Sequence, residues 1–322
     1  MKRIILDVDT GIDDALSIVY AIKSKEIKLE GITTGFGNVS AEQATLNTLQ
    51  VIEAAQPDEE IPVAMGAKKP LYRSKPSPVV HVHGSNGIGD YKFPYPKQEV
   101  EEENASDFII RLLNENPHEI TLVFVGRLTN LAIALKKDPT IIKKVKELVL
   151  MGGALKRPGN VTPWAEANIY GDPEAAKEVF GSGIPITMVG LDATTKADFR
   201  EENLKELLEK MPEGNSKEKQ LKHFLTHIIQ FGFDSSIKMG EGKQRLLHDP
   251  LAIGVVINDN FVKTEEFQVC IETEGTYTVG ATLTDLRRPQ TEVNTKVCLD
   301  VNRKDFFKHF IDTLSNQHAL MS

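Results

Sequence analysis

The sequence predicts an α/β fold: a mainly parallel, mixed β-sheet flanked by helices, related to the doubly wound Rossmann type and formed by one domain spanning residues 1–322. Three observations carry that prediction. β-like runs alternate with amphipathic helical runs. The β-like runs are apolar through most of their length, as strands buried on both faces are. Residues that start and stop helices stand between them.

In chain order, Ile4–Val8 is an apolar run that predicts a buried strand. Asp14–Ile22 follows with Ala15, Val19 and Ile22 at helical spacing. Leu29–Thr34 predicts the next strand and Ala41–Ala55 the next helix. Ile120–Val125 is rich in β-branched residues, and a helix over Thr129–Lys137 must stop before Pro139. Leu148–Met151 and Ile184–Leu191 predict two further strands. Asp172-Pro173-Glu174 has an acceptor at the N-cap and proline in the first turn of a helix. Two stretches are irregular. Ala67–Pro96, with Pro70, Pro76, Pro78, Pro94 and Pro96, predicts a long ordered loop, and Phe231–Leu247, with Gly232, Gly240 and Gly242, a mobile segment.

Composition excludes several classes of function. The net charge of -8 argues against a surface for nucleic-acid phosphates. The apolar run after Arg3 stops at Asp7, too short for a signal peptide, and nothing approaches the roughly 18 apolar residues of a membrane span, so the cytoplasm is expected. The two cysteines, Cys270 and Cys298, lie apart in apolar runs and are expected to be buried thiols.

The chemistry is concentrated in Asp7-Val8-Asp9-Thr10-Gly11-Ile12-Asp13-Asp14, where four carboxylates fall in eight residues with no Lys or Arg between Arg3 and Lys23. Asp7 and Asp9 alternate about Val8 at a strand end, and Asp13 and Asp14 open the next helix. A helix start explains one or two of these acids but not the pair ending a strand. Four negative charges at the carboxyl edge of a parallel sheet call for a cation or for protonation. Oxygen ligands favour Ca²⁺ or Mg²⁺ over zinc. Gly37-Asn38 is by itself an ordinary turn. Asn160, Glu166 and Asn168 surround the only tryptophan, Trp164, and could serve a hydroxyl-rich ligand or a plain polar loop equally well. In His248-Asp249-Pro250, Asp249 and Pro250 read as a helix start, which leaves His248 unexplained. His81-Val82-His83 has metal-like spacing but no third nitrogen ligand nearby.

Together these motifs resemble the inosine-uridine preferring nucleoside hydrolase family over nearly the whole chain. The matching segments are the Asp-rich motif, Gly37-Asn38, Val125-Gly126-Arg127-Leu128-Thr129-Asn130, Asn160–Asn168, Asp172-Pro173-Glu174-Ala175-Ala176, His248-Asp249-Pro250-Leu251-Ala252 and Glu272–Asp285. The resemblance implies a nucleoside hydrolase-like fold with one Ca²⁺ per subunit, a homodimer or homotetramer, and cleavage of a ribonucleoside to ribose and free base. It implies that Asp9, Asp14, the Val125 carbonyl and Asp249 hold the metal, that Asp9 is general base toward a metal-activated water, and that His248 protonates the leaving base. Asp13, Asn38, Asn160, Glu166 and Asn168 would hold the ribose, with His83 near the base. The chain departs from the pattern at Thr10, where proline is usual, and over Phe231–Leu247. A phosphatase of the haloacid-dehalogenase type shares the Asp-x-Asp pattern but wants Thr or Val where Gly11 stands. A non-catalytic nucleoside-binding protein would need neither Asp9 beside a metal nor His248.

Overall fold

The computed structural model describes residues 1–74, 77–287 and 291–315; Pro76 lies outside the described residues. Strands β1 (Lys2–Val8), β2 (Ile27–Thr34), β3 (Val63–Met65), β4 (Ile120–Phe124), β5 (Glu147–Met151) and β6 (Ile186–Val189) pair in parallel in the order β3-β2-β1-β4-β5-β6. Thr295–Val301 continues the sheet in parallel beside β6, and Val262–Phe267 closes that edge antiparallel. The sheet is therefore mixed but mainly parallel, as expected.

The sheet divides the core in two, and β1 shows why its sequence is continuously apolar. Ile4, Leu6 and Val8 face one apolar layer, which includes residues of helix α1 (Ile12–Lys23), while Ile5 faces the other beside Phe108, Leu122 and Phe124. Both faces are covered, so both sets of side chains are apolar along most of the strand, and its one buried acid, Asp7, is hydrogen-bonded. Helix α2 (Ala41–Ala55) begins at Ser40, whose hydroxyl accepts from the Gln43 N–H at 3.2 Å. The predicted helix after Asp172 is present as Pro173–Phe180, with the Asp172 carboxylate accepting from the Ala175 N–H at 3.1 Å. Strand order reverses at β1, whose neighbours are β2 and β4. The crevice beyond their carboxyl ends is where α/β sheets carry ligands.

Three expectations need correction. Phe231–Leu247 is regular: residues 231–238 finish the helix Ser216–Lys238, and Gln244–Leu246 pairs antiparallel with Asp198–Arg200. Gly232 marks a close approach, since a Cβ there would lie 2.9 Å from Arg245 Cδ, whereas Gly240 and Gly242 supply the positive φ of the intervening turn. Asp249 is not a helix cap, because the helix His248–Ile257 already begins one residue earlier. Cys270 is exposed; only Cys298 is buried. The long Ala67–Pro96 connection contains a single turn of helix, Val80–His83. Among the described residues no helix is long and apolar enough to cross a membrane.

Candidate active site

The site is assembled where β1 runs into α1. Gly11 is the N-cap of α1, and the Asp14 carboxylate folds back to accept from the Gly11 N–H (2.9 Å) and the Asp9 N–H (3.0 Å). An acid in the first turn thus anchors the strand-to-helix loop and fixes its own position. Asn38, beyond β2, holds both oxygens of Asp9: its N–H donates to Oδ2 (2.9 Å) and its side-chain amide to Oδ1 (3.0 Å), with a further contact to Asp14 Oδ2 (3.1 Å). Asp9, Asp13 and Asp14 are all buried.

Two arginines complete this cluster, and neither was expected to pair with the aspartates. Arg127 Nη1 donates to Asp9 Oδ2, and Arg245 Nε donates to Asp13 Oδ1 at 2.8 Å. Their partners lie 118 and 232 residues away, so the absence of local basic residues did not mean that the acids lacked counter-charges. Asp7 belongs to the scaffold. Its Oδ2 accepts from Thr33 Oγ1 (2.6 Å) and Asn130 Nδ2 (2.7 Å), and burial, against those two bonds, lifts the carboxyl to about 7. A buried carboxyl engaged in this way is poorly placed to be the nucleophile of an Asp-x-Asp phosphatase.

Asp14 and Asp249 differ from Asp9 and Asp13, because neither has an arginine bonded to it among the described residues. Burial lifts both carboxyls well above the usual carboxylate range, and each is raised further by neighbouring aspartates. Asp249 has no hydrogen-bond donor among the described residues. Two buried carboxylates with oxygens to spare fit a hard divalent cation. Among the described residues no three Asp, Glu, His or Cys side chains form a ready cage, since Asp9 is turned to Asn38 and Arg127. A cation here would draw on Asp14, Asp249 and main-chain oxygen. Val125 O, on the loop leaving β4, accepts from Asn168 Nδ2 at 2.7 Å and retains a second lone pair.

The remaining predicted residues fall into two groups. His83 and His248 join the cluster. His83 Nδ1 accepts from the Ile12 N–H at 3.0 Å, and burial, then the charge of Arg245, pushes the ring well below its usual value. His248 Nδ1 pairs with Thr194 Oγ1 at 2.8 Å, leaving Nε2 open, and burial pushes it down to about 4, while Asp13 pulls it up and Arg245 down. The named residues of the Asn160–Asn168 segment bond to backbone groups, both within the segment and at or just after the ends of β4 and β5. Glu166 is buried and caps the helix Ala167–Gly171, accepting from the N–H groups of Asn168 and Ile169 and from Gly153 N at 3.0 Å. Asn168 Nδ2 also contacts Met151 O at 3.1 Å. Asn160 is exposed, its Oδ1 accepting from Ala167 N at 3.0 Å, and no bond ties it to the aspartates.

The chain is similar to known proteins along most of its length. The profile of the inosine-uridine preferring nucleoside hydrolase family matches residues 4–308. Uridine nucleosidase 1 of Arabidopsis thaliana is 41% identical over 285 residues, 88% of this chain and 82% of that protein. The inosine-uridine preferring nucleoside hydrolase of Leishmania major is 37% identical over 316 residues, 97% of each chain. The solved purine-preferring ribonucleoside hydrolase from Gardnerella vaginalis superposes with a TM-score of 0.90 at 34% identity, covering 99% of this chain and 100% of that one. With an acidic crevice at the switch point of a mainly parallel sheet, and relatives matched end to end, this chain belongs to the inosine-uridine preferring nucleoside hydrolase family.

Proposed function

We propose that the protein hydrolyses the N-glycosidic bond of ribonucleosides, purine, pyrimidine or both, with Asp9 as general base and His248 as acid toward the leaving base. The observation that carries this reading is the convergence of Asp9, Asn38, Asp14 and Asp249 at the carboxyl edge of β1, with His248 adjoining Asp249 in the chain. Cleavage builds positive charge on the sugar and negative charge on the base. Buried carboxylates favour the first. Asp9 is held through both oxygens by Asn38, so it meets an incoming water in one orientation.

Asp9, Asp14, Val125 O and Asp249 are the groups that would hold a Ca²⁺, one per subunit. When bound, the ion supplies a Lewis acid that lowers the pKa of water enough for a carboxylate to act as its base. Asp13, Asn38, Asn160, Glu166 and Asn168 hold the ribose hydroxyls in this proposal, and His83 lies beside the base. That role requires Asn168 and Asn160 to exchange backbone partners for substrate. His248 is neutral at pH 7 in this arrangement, so its acid role depends on Asp13 outweighing Arg245 once substrate is bound. The whole chain acting as one domain, a homodimer or homotetramer, a cytoplasmic location and a place in nucleoside salvage belong to the same proposal.

The test is a reducing-sugar assay over a panel of purine and pyrimidine ribonucleosides, with and without chelator. Ribose release that chelation abolishes and Ca²⁺ restores is the expected result. A folded, Ca²⁺-supplied protein that releases ribose from no nucleoside would overturn the reading.

A further inference from the structure

Arg127 has no part in the chemistry above, yet it is bonded to the residue at its centre. It lies two residues beyond Val125 on the loop leaving β4, and only 8% of it is exposed. Its Nη1 donates to Asp9 Oδ2, and its guanidinium carbon sits 5.4 Å from the centre of the Phe36 ring. The socket is built from glycines: a Cβ on Gly37 would fall 1.7 Å from Nη1, and one on Gly171 would fall 2.3 Å from Nε. Nε itself is buried without a hydrogen-bond partner among the described residues.

A side chain that merely filled this space would be better apolar, since a buried guanidinium with an unmet donor carries a desolvation cost. The ion pair with Asp9 offsets that cost, and it is the one salt bridge Arg127 makes among the described residues. A divalent ion at Asp9 would meet both a repelling guanidinium and an oxygen already engaged. We propose that Arg127 is a resident counter-cation for Asp9, which neutralises the carboxylate when no divalent ion is bound and thereby sets how tightly the acidic cluster holds that ion. This rests on the reading of Asp9 as a metal ligand. Arg127 is in this sense a positioning residue: it acts through Asp9.

The experiment is Ca²⁺ affinity of the full chain, measured by competition with a fluorescent chelator, for wild type, Arg127→Met and Arg127→Lys. Arg127→Met is expected to bind about tenfold tighter and Arg127→Lys within about threefold of wild type, about tenfold corresponding to one unit of log Kd. In an Asp9→Asn background, Arg127→Met should change affinity by less than about twofold, because the coupling partner is gone. If Arg127→Met does not fold, Arg127→Gln provides the same reading. Equal or weaker Ca²⁺ binding by the uncharged variant, with normal binding by wild type, overturns the inference. Absence of Ca²⁺ binding by wild type overturns instead the assignment of the metal site.

Discussion

Asn38 holds both oxygens of the Asp9 carboxylate, one through its backbone N–H at 2.9 Å and the other through its side-chain amide at 3.0 Å. Replacing the side chain leaves the backbone bond and frees Oδ1. Hydrogen bonds to charged groups contribute about 1.5–3 kcal/mol, so Asn38→Ala should lower kcat/KM by roughly 10–100-fold. Asn38→Asp should lose more, because it brings a third carboxylate against Asp9 and Asp14. Steady-state ribose release with circular dichroism as a fold control decides it; Asn38→Ala within twofold of wild type would remove Asn38 from positioning Asp9.

Asp9→Ala should abolish turnover, but it also strands Arg127. Breaking a buried ion pair by removing one partner typically costs about 3–5 kcal/mol. The single variant should therefore melt well below wild type, and Asp9→Ala/Arg127→Met should recover most of that loss while staying inactive. Urea denaturation of the three proteins provides the check. Turnover near wild type by folded Asp9→Ala would contradict the base assignment.

Chelation should lower Tm, and more at pH 8 than at pH 6. The carboxyls of Asp14 and Asp249 stand well above their usual range when no ion balances them. A carboxyl raised on folding stabilises the fold below its unfolded value near 4, and that contribution is lost as pH rises through the folded value. Calcium restores more stability where that loss is greatest. At a free concentration of 100 times Kd, a ligand adds about 2.7 kcal/mol. Scanning fluorimetry with and without chelator at both pH values tests this, and equal shifts would mean that the ion does not balance these two charges.

His248→Ala should impair inosine hydrolysis by about 10²–10⁴, the usual reach of a general acid, and hydrolysis of a nitrophenyl riboside far less. The nitrophenolate leaves without needing a proton. Equal losses for both substrates would take His248 out of the acid role and point to packing through Thr194 instead.

The sheet was legible because strands buried on both faces are apolar through most of their length. β1, β2, β4 and β5 were found to within two residues, and α2 and Thr129–Lys137 to the residue, since Ser40 and Pro139 mark a start and a stop. The Asp-rich motif was legible because its members are neighbours in sequence. Arg127 and Arg245 were not, because an ion pair across 118 or 232 residues leaves no local pattern. Glycine misled at Phe231–Leu247. Gly232 is small because Arg245 packs on it, and a close approach leaves the same letter in the sequence as a hinge. The self-capping of Glu166 and the exposure of Asn160 were equally hidden, since polar residues before a helix look alike whether they face the backbone or a ligand.

Gly37 is hemmed in from two sides, with Asp9 Oδ2 and Arg127 Nη1 each within 1.7 Å of where a methyl group would stand. Substitution there is therefore not an independent event. A side chain at position 37 would have to displace the carboxylate as well as the guanidinium, so loss of Arg127 alone does not open the position. Within any lineage that keeps Asp9 where it stands, position 37 should remain glycine whatever residue occupies position 127.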